Sequence, residues 1–298
     1  MTINKLCLGT VQFGLDYGIN NTQGKPATKD VFAILDEAIS RGITCFDTAY
    51  AYGTAEELLG QYGINRYDVK VITKLKPNLI QEKNKNVSKI IEEQIRQSLQ
   101  RISIEVLDGY LLHTPTDFYN PYVMDGLASA KEKGLIQKFG VSIYEAGHAL
   151  DVVKSGSVDY IQIPYSIFDQ RLDQTDFFEI ARKNKVTVYG RSTFLQGLIL
   201  MENLNIPEHL AKVKEYLQQY DEIIKKYGFS RVEAAFLFSC THPGIDYVVF
   251  GVDNVEQLQE NILLSNKKKD FSACRAEISS RFKEIEKTII FPSLWSKK

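Results

Sequence analysis

The feature that most constrains this chain is a recurring pattern of short apolar runs, each ending on a polar or titratable residue and separated by stretches with helical spacing. Ile43 to Phe46 leads into Asp47, Val69 to Thr73 into Lys74, and Leu107 to Leu112 into His113. The runs have the length and the β-branched or aromatic content of strands buried on both faces, as in a parallel sheet. DVFAILDEAISRG has its apolar residues on one helical face and stops at Gly42, which suits a left-handed cap.

The pattern continues along the chain. Further strands are predicted at Leu6 to Gly9, 137–142, 159–163, 186–190 and Tyr247 to Phe250. Helices are predicted near 54–62 and over 87–102, 121–133, 145–155, 172–184, 209–227, 231–239, 254–264 and 272–288. Gly14 to Lys29 is polar and Gly-rich and reads as a long surface loop. Eight strands alternating with helices in 298 residues predict an α/β chain folded as a single (β/α)8 TIM barrel with extra helices at the carboxyl end. In such a barrel the strand carboxyl ends converge on one face, so Asp47, Lys74 and His113 share a pocket with Tyr52, five residues beyond Asp47.

Composition excludes several classes of partner. With 36 basic and 37 acidic residues the net charge is −1, which favours a small-molecule partner over nucleic acid or an acidic membrane surface. The KKKD run at 267–270 reads as a solvated turn. A basic-then-apolar leader and a spanning stretch are both lacking, so neither secretion nor membrane insertion is expected. Cys7, Cys45, Cys240 and Cys274 have no paired spacing and read as reduced thiols of a cytoplasmic protein. His148, His209 and His242 have no partners at metal-ligand spacing, so no metal site is expected.

The four strand-end residues suggest acid catalysis. A phenol ordinarily titrates near pH 10, so Tyr52 needs a cation beside it to act near neutrality. Lys74 can supply the charge, Asp47 can keep that lysine protonated, and His113 can orient a substrate carbonyl. Such a pocket has no reductant of its own and requires an organic cofactor. Taken singly, each residue has a plainer role, Asp47 as a helix cap and Lys74 as a surface charge; their joint placement at successive strand ends argues for the pocket. Tyr50 reads as a pocket wall, and Glu56 and Glu57 as acids favoured by a helix macrodipole.

FDTAYAYGTAEELLG, ITKL and LLHTP, together with LGTVQFG, FGVSIY, YIQIPYSIFDQR and GVDNVEQLQENI, resemble the aldo-keto reductase family along most of the chain. The resemblance implies one barrel domain over 1–298, monomeric by default, that binds NADPH, or less often NADH, at the carboxyl face and reduces an aldehyde or ketone. It implies Tyr52 as general acid, Asp47 and Lys74 as its tuning pair, and His113 as the group that positions the carbonyl. It further implies that Ser142 and Gln162 hold the nicotinamide carboxamide, that Arg191 stacks on the nicotinamide, and that Ser192, Phe194, Gln196 and Gly197 line the pyrophosphate. Glu260 and Asn261 match the adenine-contacting pair. Gly251 and Gln257 stand where many members carry the basic clamp for the 2′-phosphate, and Lys212, Lys214 or the backbone near Asn254 are alternative phosphate contacts.

Two other readings stay open: a Schiff-base aldolase using Lys74, and a non-catalytic nicotinamide-nucleotide-binding barrel acting as sensor or regulatory subunit. Specificity is expected in Gly14 to Lys29 (Asp16, Tyr17, Asn20), Thr114 to Tyr122 (Asp117, Tyr119) and the tail Phe291 to Lys298 (Phe291, Leu294, Trp295). RSTFLQGL resembles barrels of sugar and polysaccharide pathways, which implies a sugar-derived carbonyl.

Overall fold

The computed structural model describes residues 3–81, 86–267 and 269–295. Strands β1 (Leu6–Gly9), β2 (Cys45–Asp47), β3 (Lys70–Lys74), β4 (Leu107–Leu112), β5 (Ile136–Ser142), β6 (Tyr160–Pro164), β7 (Thr187–Arg191) and β8 (Tyr247–Phe250) pair in parallel in chain order, and β8 closes onto β1. Helices cover the outside at each crossover, among them Thr28–Ser40, Ala55–Tyr62, Val87–Ile102, Pro121–Glu132 and Ala146–Ser155. The chain is therefore a (β/α)8 barrel. Among the described residues no helix is long and apolar enough to cross a membrane.

Side chains alternate across each strand, and this alternation builds the layers. Cys7, Cys45, Ile72, Leu111, Tyr160, Tyr189 and Val249 form one buried cluster inside the barrel, while Phe46, Val71, Tyr110, Leu112 and Ile161 belong to the larger cluster between strands and helices. Gly109 on β4 makes room for the lumen: a Cβ there would lie 2.7 Å from the Tyr160 ring. Two residues further along each strand from that apolar layer come Gly9, Asp47, Lys74, His113, Gln162, Arg191 and Gly251. The apolar layer is thus the floor on which the polar face stands.

Several boundaries differ from expectation. Thr28 and Lys29 open a helix instead of ending a loop, and the 172–184 prediction resolves into a 3-10 turn, Arg171–Gln174, and the helix Phe177–Lys183. The 209–227 helix begins only at Val213. The 272–288 helix stops at Arg281 and resumes as the short Lys287–Ile290. Burial of Phe282, with its ring centroid 5.2 Å from that of Phe168, turns the chain there and outweighs continued helical bonding. Of the 267–270 run, Lys268 lies outside the described residues; Lys267 pairs with Glu233, and Lys269 bonds the Gly228 carbonyl, so these two are pinned to a neighbouring turn.

Candidate active site

Asp47 and Lys74 are the last residues of β2 and β3, and the lumen brings their side chains together. Lys74 is fully buried and donates to Asp47 Oδ1 at 2.7 Å, Asp47 Oδ2 at 2.8 Å and the Thr48 carbonyl at 2.9 Å. An ammonium has three N–H donors, so all of them are committed. Asp47 Oδ1 also accepts from Gln162 Nε2 at 2.7 Å, and Ser142 Oγ donates to Gln162 Oε1 at 3.2 Å. The buried charge pair is thereby paired and hydrogen-bonded, the condition under which such a pair is tolerated.

Tyr52 comes from the turn after β2 and is placed by close backbone packing. Gly53 has φ +55°, and a Cβ on Gly14 would sit 1.7 Å from the Tyr52 carbonyl oxygen. Only glycine at 14 lets these two segments touch. The phenol ring lies with its centroid 5.0 Å from Lys74 Nζ and 6.1 Å from the His113 ring, edge to face with the latter. Burial pushes the Tyr52 pKa well above the ordinary phenol value; the Asp47 charge adds to this and Arg191 opposes it. The Lys74 ammonium sits over the ring with its charge offset by Asp47, and the shift favours the protonated phenol.

His113 is pushed down to about 3 by burial, and further by the Lys74 and Arg191 cations, so it is a neutral imidazole at ordinary pH. Its Nδ1 is buried without a partner. One cavity of about 1090 Å³ joins Tyr52, His113 and Ser142 to Arg191, Ser192, Phe194, Gln196 and Gly197, and then to Gly251, Gln257, Glu260 and Asn261. Gln162 is not on its wall: it is 1% exposed and its carboxamide is spent on Asp47 and Ser142, so it braces the acid from behind. Arg191 is not a free plate either. It donates to the Ile143 carbonyl at 2.9 Å and to Ser192 Oγ at 3.1 Å, and its guanidinium carbon lies 4.5 Å from the Tyr144 ring centroid. Ser192, Leu195 and Gln196 have positive φ, a strained backbone at non-glycine residues, and of these Ser192 and Gln196 face the cavity.

The remaining expectations divide. Asp16, Tyr17, Asn20, Phe291 and Trp295 line the cavity, whereas Asp117, Tyr119 and Leu294 do not. Of the tail, residues 296–298 lie outside the described residues. Tyr50 is not a wall but stacks under Arg101, 4.0 Å from ring centroid to guanidinium carbon. Glu56 is no solvated dipole acid: it is buried, accepts from Thr73 Oγ1 at 2.6 Å, and ties the helix Ala55–Tyr62 to β3 behind Lys74. Gly251 leaves its space to Gln12, since a Cβ there would lie 2.2 Å from the Gln12 carboxamide. Gln12 is a cavity residue the sequence reading missed. Lys212 is paired with Glu286, and neither it nor Lys214 lines the cavity.

A closed parallel barrel with polar strand ends gathered at one cavity defines a barrel of the enzyme type. The sequence profile of the aldo/keto reductase family matches residues 5–276, and the chain belongs to that family of oxidoreductases acting on carbonyl compounds. It is 27% identical over 252 residues to the uncharacterised oxidoreductase YqkF of Bacillus subtilis, covering 78% of this chain and 81% of that one. It is 24% identical over 300 residues to the NADH-specific methylglyoxal reductase of Escherichia coli, with 89% and 91% covered. Among solved structures, an aldo-keto reductase from Bacillus halodurans in its holo form superposes with a TM-score of 0.76 at 20% identity, over 94% of this chain and 95% of that chain.

Proposed function

We propose that this chain is a carbonyl reductase that uses a reduced nicotinamide dinucleotide, NADPH or NADH, and takes a small aldehyde or ketone as substrate. The observation that carries the reading is the pairing of two uncharged donors, the Tyr52 phenol and the His113 imidazole, on the cavity wall above an Asp47–Lys74 pair whose hydrogen bonds are already satisfied. When bound, the reduced nicotinamide supplies hydride to the carbonyl carbon. The chain's own residues supply the proton and the geometry. His113 donates to the carbonyl oxygen and orients it; Tyr52 gives that oxygen a proton as negative charge develops on it. Arg191 helps Tyr52 release the proton, because its cation favours the phenolate. Gln162 and Lys74 hold Asp47 in place without touching substrate.

The residues present fit the dinucleotide. Gly197 at φ +89° and Gly18 at φ +104° bring bare backbone to the wall between the two ends of the cavity, which suits the close approach of a pyrophosphate. Ser142 and Arg191 would hold the nicotinamide, Ser192, Phe194, Gln196 and Gly197 would line the pyrophosphate, and Gly251, Gln257, Glu260 and Asn261 would flank the adenosine. Asp16, Asn20 and Tyr17 offer polar contacts to a hydroxylated or sugar-derived carbonyl, and a relative named for methylglyoxal reduction favours a small one.

Buried Lys74 has no N–H to spare and lies off the cavity wall, which speaks against the aldolase. The test is oxidation of NADH or NADPH by the purified protein with a panel of short aldehydes, wild type against Tyr52→Phe. Turnover that Tyr52→Phe abolishes supports the reading. Nucleotide binding without turnover leaves the sensor barrel, and borohydride-trapped adduct on Lys74 would replace it with the aldolase.

A further inference from the structure

We propose that the cavity selects NADH over NADPH, and that Asp253 makes the selection by accepting a hydrogen bond from the adenosine ribose. The inference rests on the nicotinamide-dependent reading above and names the cofactor of that site.

The cavity's end remote from Tyr52 lies at the amino end of the helix Val255–Ser265. A 2′-phosphate brought there carries close to two negative charges at neutral pH and needs cations or free N–H groups. Two of the turn's donors are already taken. The Gln257 N–H bonds Asn254 Oδ1 at 2.9 Å, and the Asp253 N–H bonds Gln257 Oε1 at 2.8 Å. No lysine lines the cavity among the described residues, and its two arginines are engaged with other groups on the wall, Arg171 with both oxygens of Asp169 and Arg191 with the Ile143 carbonyl beside Tyr144. His113 and His209 are the other wall residues able to carry positive charge, and His113 is neutral.

What the far end offers is acceptors. Asp253 meets the neutral amides Asn21 Nδ2 and Gln257 Nε2, each at 3.5 Å, and among the described residues it has no ion pair. Glu260 stands on the helix Val255–Ser265, and Gln12 Oε1 is buried against Gly251 with no partner. Burial raises the Asp253 carboxyl above its ordinary range, which marks a carboxylate that gains from a donor and resists a second anion. A ribose 2′-hydroxyl is such a donor, and an acidic residue meeting that hydroxyl is how dinucleotide sites commonly read NAD. A 2′-phosphate in its place would meet Asp253 and Glu260 with like charge.

The test is fluorescence-quenching titration of the full chain with NADH and NADPH, with adenosine 5′-monophosphate and adenosine 2′,5′-bisphosphate as competitors that report on the nucleotide end alone. NADH is expected to bind about tenfold or more tightly than NADPH, with the monophosphate the better competitor. Asp253→Asn should narrow the gap mainly by tightening NADPH, and Glu260→Gln should narrow it less. NADPH binding as tightly as NADH would overturn the inference and leave the reductase reading standing. A preference for NADH that Asp253→Asn leaves unchanged would remove Asp253 from it. Binding of neither nucleotide would remove the reductase reading itself.

Discussion

The two ends of the cavity are built on opposite principles. At the Tyr52 end, strand termini deliver side chains into a packed lumen: Asp47 and Lys74 are 3% and 0% exposed, every donor of the ammonium is used, and Gln162 and Glu56 brace the pair from behind. At the Asp253 end, a helix terminus forms part of the wall, and the polar groups of Asp253, Asn254 and Gln257 bond to one another. The first end is rigid and its donors are satisfied, which suits the proposed chemistry on a fixed geometry; the second carries unpaired acidic charge, which suits the proposed sorting of ligands by charge. Mutation should therefore act on rate and stability at the first end and on affinity at the second.

The largest effect is expected from Tyr52→Phe, which removes the proposed proton donor while sparing the rest of the cavity wall. Steady-state kinetics should give kcat lower by about 10²–10⁴-fold with NADH affinity unchanged. Retained kcat would break the contrast at its strongest point. Asp47→Ala comes next, because it strands the Lys74 ammonium in the lumen. Urea unfolding should lose about 3–5 kcal/mol, partly recovered when Lys74→Met is added. Asp253→Asn in the same assay should stay within about 0.5 kcal/mol, as expected of a terminus that sorts ligands without holding the fold.

Gly14→Ala is a subtler probe. Its Cβ would press on the Tyr52 carbonyl oxygen and shift the phenol, lowering kcat by about 10²-fold in a protein that still binds nucleotide. The smallest effects are in pH dependence. His113 holds a folded pKa of about 3 against an unfolded value of 6.5, so the unfolded chain takes up the proton first. Its contribution is complete above pH 6.5 and is lost as the pH falls toward 3, a slope that His113→Gln should flatten. Asp117 has the opposite sign: burial raises it from 3.8 to about 6, and its Oδ2 is buried unpaired. Its contribution is present below 3.8 and lost as the pH rises through 6, so Asp117→Asn should raise the melting temperature at neutral pH and not in acid.

The gathering of residues at the Tyr52 end was legible because period-two alternation in strands is local. Once Ile43 to Phe46 and its counterparts are read as strands, Asp47, Lys74 and His113 fall on one face without any knowledge of the fold's details. The supporting residues were not legible. Glu56 has the sequence context of an ordinary first-turn acid, and only the packing of its helix on β3 makes it a buried strut. Gln162 reads as a wall residue until its carboxamide is seen to be consumed by Asp47. Tyr50, two residues from Tyr52, faces Arg101 instead of the cavity because the turn after β2 reverses direction between them.

The amino-acid sequence by itself determined the alternation of elements, the closed parallel barrel and the convergence of four chemical side chains, since each follows from periodicity and strand polarity within a few residues. Tertiary structure alone decided how those side chains are charged and what they touch. Burial depth raises the Tyr52 phenol, holds His113 neutral and raises the Asp253 carboxyl, and burial is a property of everything packed around a residue from distant parts of the chain.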